Sequence, residues 1–250
     1  MSEQRRQPST EGLYQIVISE VLINGGVYPL ERGGGRAFAV SSVLDLGLRM
    51  LESHRGRNAL ENVARKAISN WRERSGRGPV SEFEHINLPA AVDEFLHSVR
   101  FCFPIVKLDD REGFCHEEDG KTPRSNPRVS AILHLNWQLM DQLYRARLKA
   151  AATQHDDERQ TGPLLRFRRL HFHLAATVAH HFCHLFTNFL RGYDTLANEV
   201  SDADFLRLVG RYDPGKEFEK EFFGTFRKSA RSSSNRSECR VTFKEQSIGC

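Results

Sequence analysis

The stretch from Pro163 to Leu190 reads as one long helix, and its make-up constrains the fold more than any other part of the chain. Advancing about 100° per residue, Thr177, His180, His184, Thr187 and Asn188 fall within about 60° of His173. Leu174, Ala175, Val178, Ala179, Phe182, Leu185, Phe186 and Phe189 occupy the opposite side. So wide an apolar face must be buried against other elements. The polar side is just as unusual, because a solvated helix face is normally made of Lys, Glu, Arg and Gln. Between His171 and Leu190 there is not one of these. A stripe of His, Thr and Asn suits the floor of a cleft, where imidazoles are partly shielded and held in one orientation.

Histidine is the one composition value out of the ordinary. Of the 11 in the chain, His171, His173, His180, His181 and His184 lie within fourteen positions. Otherwise the 250 residues, 39% hydrophobic and 27% charged, are those of a soluble globular chain, which excludes disorder throughout, collagen-like structure and a disulfide scaffold. No run approaches the roughly 18 apolar residues of a membrane span, and the polar start has no signal-peptide core, so a cytoplasmic chain without a membrane partner is expected. The 5 cysteines are odd in number and scattered, as free thiols in a reducing compartment would be. A net charge of +4 gives no footprint for nucleic acid.

Residues 1–11 read as a disordered arm, 12–226 as one domain and 227–250 as a flexible basic tail. Within the domain, LYQIVISEVLI, the turn Asn24-Gly25-Gly26 and VYPL predict a strand, a turn and a short strand. Gly33-Gly34-Gly35 reads as a flexible connector. A helix from Ser41 to about His54 is interrupted at Arg55-Gly56-Arg57, and a second begins with Asn58 as N-cap and Glu61 three residues on. Ser75 to Val80 is a break, Pro89 opens a short helix through Phe95 and Val99, and RFCFPIVKL reads as a strand. Residues 109–128 form a surface loop in which Cys115, His116, Glu117 and Glu118 make at most a weak ligand set. Ser130 to Leu135 alternates as a strand at a sheet edge, running into a helix from Asn136 to about Ala152. After the long helix, Ser201 caps a short helix over 202–208, and Pro214 opens another that ends at Phe222, Phe223 and Gly224. The expected class is α+β, mainly helical, with a small mixed sheet.

His180 and His184 are four apart on one face, which lets two imidazole nitrogens converge on a divalent ion. Zinc suits such a set, since it takes imidazole and carboxylate in tetrahedral geometry. The same spacing also fits two half-buried, hydrogen-bonded structural histidines, and a shifted frame using His181 and His184 is a further alternative. Cys183 lies off this face and reads as a packed thiol. Arg166, Arg168 and Arg169 read as a solvated helix start.

The stretch LAATVAHHFCHLF resembles the active-site helix of the zincin metallopeptidases, whose His-Glu-x-x-His motif supplies two zinc ligands and a general base. The order of parts from Ser130 to Gly224 resembles the gluzincin type: a substrate-binding strand, a backing helix, the motif helix, then a carboxylate-bearing helix. That resemblance implies a zincin-like domain with zinc held by His180, His184 and a carboxylate from DPGKEFEKEFFG, either Asp213 or Glu219, with Glu217 and Glu221 as further candidates. It also implies His181 in the place of the catalytic glutamate and Tyr212 as a phenol that stabilises an oxyanion. The motif is degenerate, His-His-x-x-His, so zinc binding without ordinary peptidase activity is expected. The sequence is also similar to fungal proteins in which such a motif precedes an acidic-x-Gly helix ending in Phe-Gly. That implies an alternative: an accessory enzyme or binding protein of a fungal secondary-metabolite pathway, with a small molecule or peptide in the histidine-lined cleft. A non-enzymatic interaction protein is the remaining alternative.

Overall fold

The computed structural model describes residues 16–21, 26–31, 34–75, 86–110, 113–116, 126–152, 161–191 and 212–224. Strand β1 (Ile18–Val21) is followed by β2 (Val27–Pro29), helix α1 (Gly35–Glu52), α2 (His54–Ser75) and α3 (Leu88–Phe101). Then come β3 (Ile105–Asp109), β4 (Gly113–His116), the single turn α4 (Pro127–Ser130), β5 (Ala131–Asn136), α5 (Trp137–Ala152), α6 (Thr161–Arg191) and α7 (Pro214–Phe223). The strands form one mixed sheet in the order β2-β1-β3-β5-β4. Neighbours β1, β3 and β5 are parallel, and both edges are antiparallel. The fold is therefore α+β, mainly helical, with a small mixed sheet.

Alternation along the parallel strands sorts their two faces. Ile18, Val106, Leu108, Leu133 and Leu135 are all buried and belong to the same core as Val43 and Leu48 of α1, Leu143 of α5 and Val178 and Phe182 of α6. The other face carries Ser19, Lys107, Asp109 and His134, of which Ser19, Asp109 and His134 are buried. His134 Nδ1 lies 2.6 Å from Asp109 Oδ2, so this buried imidazole is used inside the sheet. Helix α6 is central, packing on α1, α5 and α7. It crosses α1 closely at Gly47, where a Cβ would lie 2.9 Å from both the Ala175 carbonyl oxygen and Val178 Cγ1.

Several expectations are corrected. Strand β5 is no edge: it pairs with β3 on one side and β4 on the other, while β4, inside the stretch read as a loop, forms the edge. Cys115 and His116 thus belong to a strand ladder; Glu117 and Glu118 lie outside the described residues. Val129 and Ser130 belong to α4, capped by Asn126, whose side chain accepts from Arg128 N at 3.1 Å. Gly35 opens α1 and does not form a connector; the Tyr144 ring packs where its Cβ would be. The helix break falls at Ser53 and not at residues 55–57. Ser53 is extended, and its Oγ accepts from Gly56 N at 3.0 Å, making it the N-cap of α2 in place of Asn58. Arg100 and Phe101 end α3, so the strand of RFCFPIVKL starts only at Ile105, after Pro104. The arm 1–11, the tail 227–250 and the helix expected over 202–208 lie outside the described residues. Among the described residues no helix is long and apolar enough to cross a membrane.

Candidate metal centre

Helix α6 presents His180 and His184 of its polar stripe to the start of α7, which is built to meet them. Asp213 is the N-cap, with Oδ1 accepting from Lys216 N at 3.0 Å, and Pro214 follows at a position that needs no N–H donor. Gly215 comes next, against the His180 imidazole. An added Cβ would lie 2.3 to 2.4 Å from three ring atoms of His180, so only glycine allows this approach. Asp-Pro-Gly thereby caps the helix, fixes its first turn and brings its backbone against a histidine.

The result is a triangle of donor atoms. His184 Nε2 lies 3.3 Å from His180 Nε2 and 3.3 Å from Asp213 Oδ1, and His180 Nε2 lies 3.6 Å from the same oxygen. On the far side of the His180 ring, Nδ1 is 2.9 Å from Glu219 Oε1. An ionised carboxylate only accepts, so Nδ1 carries the proton and donates it to Glu219. With its proton held at Nδ1, the ring has Nε2 left to face the triangle. His180, His184 and Asp213 form a group able to hold a metal ion. Four donors about 2.0–2.1 Å from a tetrahedral zinc stand about 3.4 Å apart, which the three edges match. Two imidazoles and one carboxylate are also a donor set that zinc accepts.

The remaining expected residues are placed as follows. Glu219 does not join the triangle; it holds Nδ1 of His180, as carboxylates do for metal-bound histidines. Glu217 pairs with Lys66 of α2, and Glu221 accepts from Asn62 Nδ2 at 3.2 Å. The Tyr212 hydroxyl donates to the Val63 carbonyl at 3.0 Å, tying the entrance of α7 to α2. Burial, helped by nearby carboxylates, raises its pKa. His181 leaves the triangle and stands edge-on to His180, with centroids 5.4 Å apart. Burial first, and then His180 and His184, pushes its pKa down to about 3, so its ring is neutral. Burial also pushes the Asp213 carboxyl up, but the His184 and Lys216 hydrogen bonds and the two imidazole charges outweigh it and hold the group well below the carboxylate range. Cys183 is buried and donates to the Ala179 carbonyl at 3.2 Å, a packed thiol.

The other clustered histidines go elsewhere. His171 stacks on Phe167 and is half-buried, with burial lowering its pKa against a hydrogen bond to the backbone of Ser42 in α1. His173 is exposed, as are Arg166, Arg168 and Arg169. Sequence reasoning found the histidine pair and left the carboxylate open between Asp213 and the glutamates. It missed Gly215, although Asp-Pro-Gly directly before an amphipathic helix signals a capped start with room for a close neighbour. Comparison of the chain with models of known protein families, with curated proteins and with solved structures returns no match.

Proposed function

We propose that this is a zinc-binding protein, metallopeptidase-like in its ligand helix and without ordinary peptidase activity. One observation carries the reading: His180 Nε2, His184 Nε2 and Asp213 Oδ1 converge in a triangle with edges of 3.3, 3.3 and 3.6 Å. Converging lone pairs repel one another unless a cation or a proton lies between them, and the donor chemistry suits zinc. Three protein ligands leave a fourth position, and a zinc ion so held supplies Lewis-acid chemistry there. The chain's own part is to bind and orient. Glu219 fixes the His180 ring through Nδ1, Asp213 is fixed by its capping bond to Lys216 N, and Gly215 sets the spacing between the helices. At position 181, where a peptidase of this kind has a carboxylate base, stands a neutral imidazole. Loss of such a base forfeits much of a contribution of about 10²–10⁴-fold, which is the ground for expecting no ordinary peptide hydrolysis.

Metal analysis of the purified full chain, beside the His180→Ala, His184→Ala double variant, tests the reading. One zinc per chain, lost in the variant, is expected. A metal-free chain that takes up no added zinc refutes it. With zinc in place, His181→Glu then asks whether a carboxylate at that position alone restores peptide hydrolysis.

A further inference from the structure

The three residues that α7 contributes around the triangle all sit on its first two turns. Asp213 Oδ1 serves two purposes at once, accepting from Lys216 N and facing both imidazoles. A carboxylate oxygen has two lone pairs, so the cap and the ligand bond are compatible on one atom. Gly215 rests on the His180 ring and Glu219 holds its Nδ1, so the position of α7 and the geometry of the ligand set are one and the same variable.

What else holds α7 in place is modest. The helix has 10 residues, too few to be stable alone in water. Phe218 is its one large, fully buried side chain; Phe222 packs half-buried on the same core and Phe223 meets Phe172 of α6 edge-on. Its polar ties to α2 are the Lys66 pairs with Glu217 and Glu221, the Asn62 bond to Glu221, long contacts of 3.4 Å from Arg55 to the Glu221 carbonyl, and the Tyr212 hydroxyl on Val63. The Arg55 contacts are exposed and the Lys66 side chain is 44% exposed, so these ties each contribute little.

We infer that metal occupancy governs the docking of α7: the ion latches α7 onto α6 through Asp213, and its removal releases the helix. The inference rests on the metal-binding reading above and adds regulation to it. Because Asp213 is a ligand only when α7 is docked, binding and docking are linked, and each must change the other by the same factor.

Hydrogen exchange of the full chain is compared with zinc bound, after chelation and after zinc is restored, with metal content measured on each sample. Amides of α7 are expected to exchange at least tenfold faster after chelation and to recover with zinc, while those of β3, β5 and the centre of α1 stay unchanged. Unchanged α7 protection in samples whose zinc has demonstrably come and gone overturns the latch and leaves the metal site standing. A chain that never takes up zinc overturns the metal site itself, and the latch with it. In the reverse direction, Phe218→Ala loosens α7 without touching a ligand, and the milder Asn62→Ala, Lys66→Ala double variant does so from the α2 surface. Zinc affinity should fall in step with α7 protection in whichever of them folds; full affinity with a loosened α7 overturns the inference.

Discussion

Glu219 shows how much one side chain's role depends on which atom it meets. From sequence it and Asp213 are interchangeable carboxylates on one helix, yet Asp213 faces the Nε2 side of His180 and Glu219 the Nδ1 side. One offers a lone pair to the centre; the other removes the option of a wrong tautomer. Glu219→Ala, at a position whose side chain is 44% exposed, should leave folding intact and weaken zinc binding about 10–100-fold, measured by competition with a chromophoric chelator. Glu219→Gln, which keeps an acceptor, should lose less. A shift of less than twofold for the alanine variant would mean that His180 is oriented by something else. The histidines divide in the same way: five close neighbours in sequence, of which His180 and His184 reach the centre, His171 turns to α1 and His173 to solvent.

Among the elements, α6 was legible because its pattern is local and repeated: eight apolar positions recur at helical spacing and are buried as expected. Boundaries set by single contacts were not. The α1–α2 break is made at Ser53 by one hydroxyl, since Gly56 fits inside a helix when its missing Cβ lets the Met50 and Leu51 carbonyls approach. Likewise, β5 reads as a half-buried strand, but nothing within AILHLN reveals that β4 covers its free side. The α1–α6 crossing offers a direct check on element packing. Gly47→Ala places a methyl 2.9 Å from backbone and side-chain atoms of α6, and should destabilise the fold by about 1–3 kcal/mol in urea unfolding with an unchanged m-value. A neutral effect would show that the two helices can separate at no cost.

Across the whole molecule, stability toward acid should draw on the charged contacts between α7 and α2. Burial pushes the Glu217 carboxyl up, but the Lys66 hydrogen bond and charge, with Lys220, outweigh it and hold the group below its ordinary value. A carboxyl depressed in the folded state adds stability that is complete above its unfolded value, about 4.3, and is lost as pH falls through the lower folded one. Glu217→Gln should therefore flatten the acid limb of the stability curve. Its cost at neutral pH should stay below about 1 kcal/mol, since Lys66 is 44% exposed and well screened. Urea midpoints from about pH 3 to pH 7 measure this, and curves that stay parallel for the two proteins would contradict it.

What the sequence determined by itself was the α+β class, the buried face of α6 and the histidine pair, because each depends on spacing along one continuous segment. The tertiary structure alone decided that Asp213 completes the donor triangle, that Glu219 stands behind His180, and that Gly215 lets the two helices meet. These depend on where a helix some thirty residues later in the chain comes to rest. That position depends on contacts of α7 with α2 and α6, which no local period encodes.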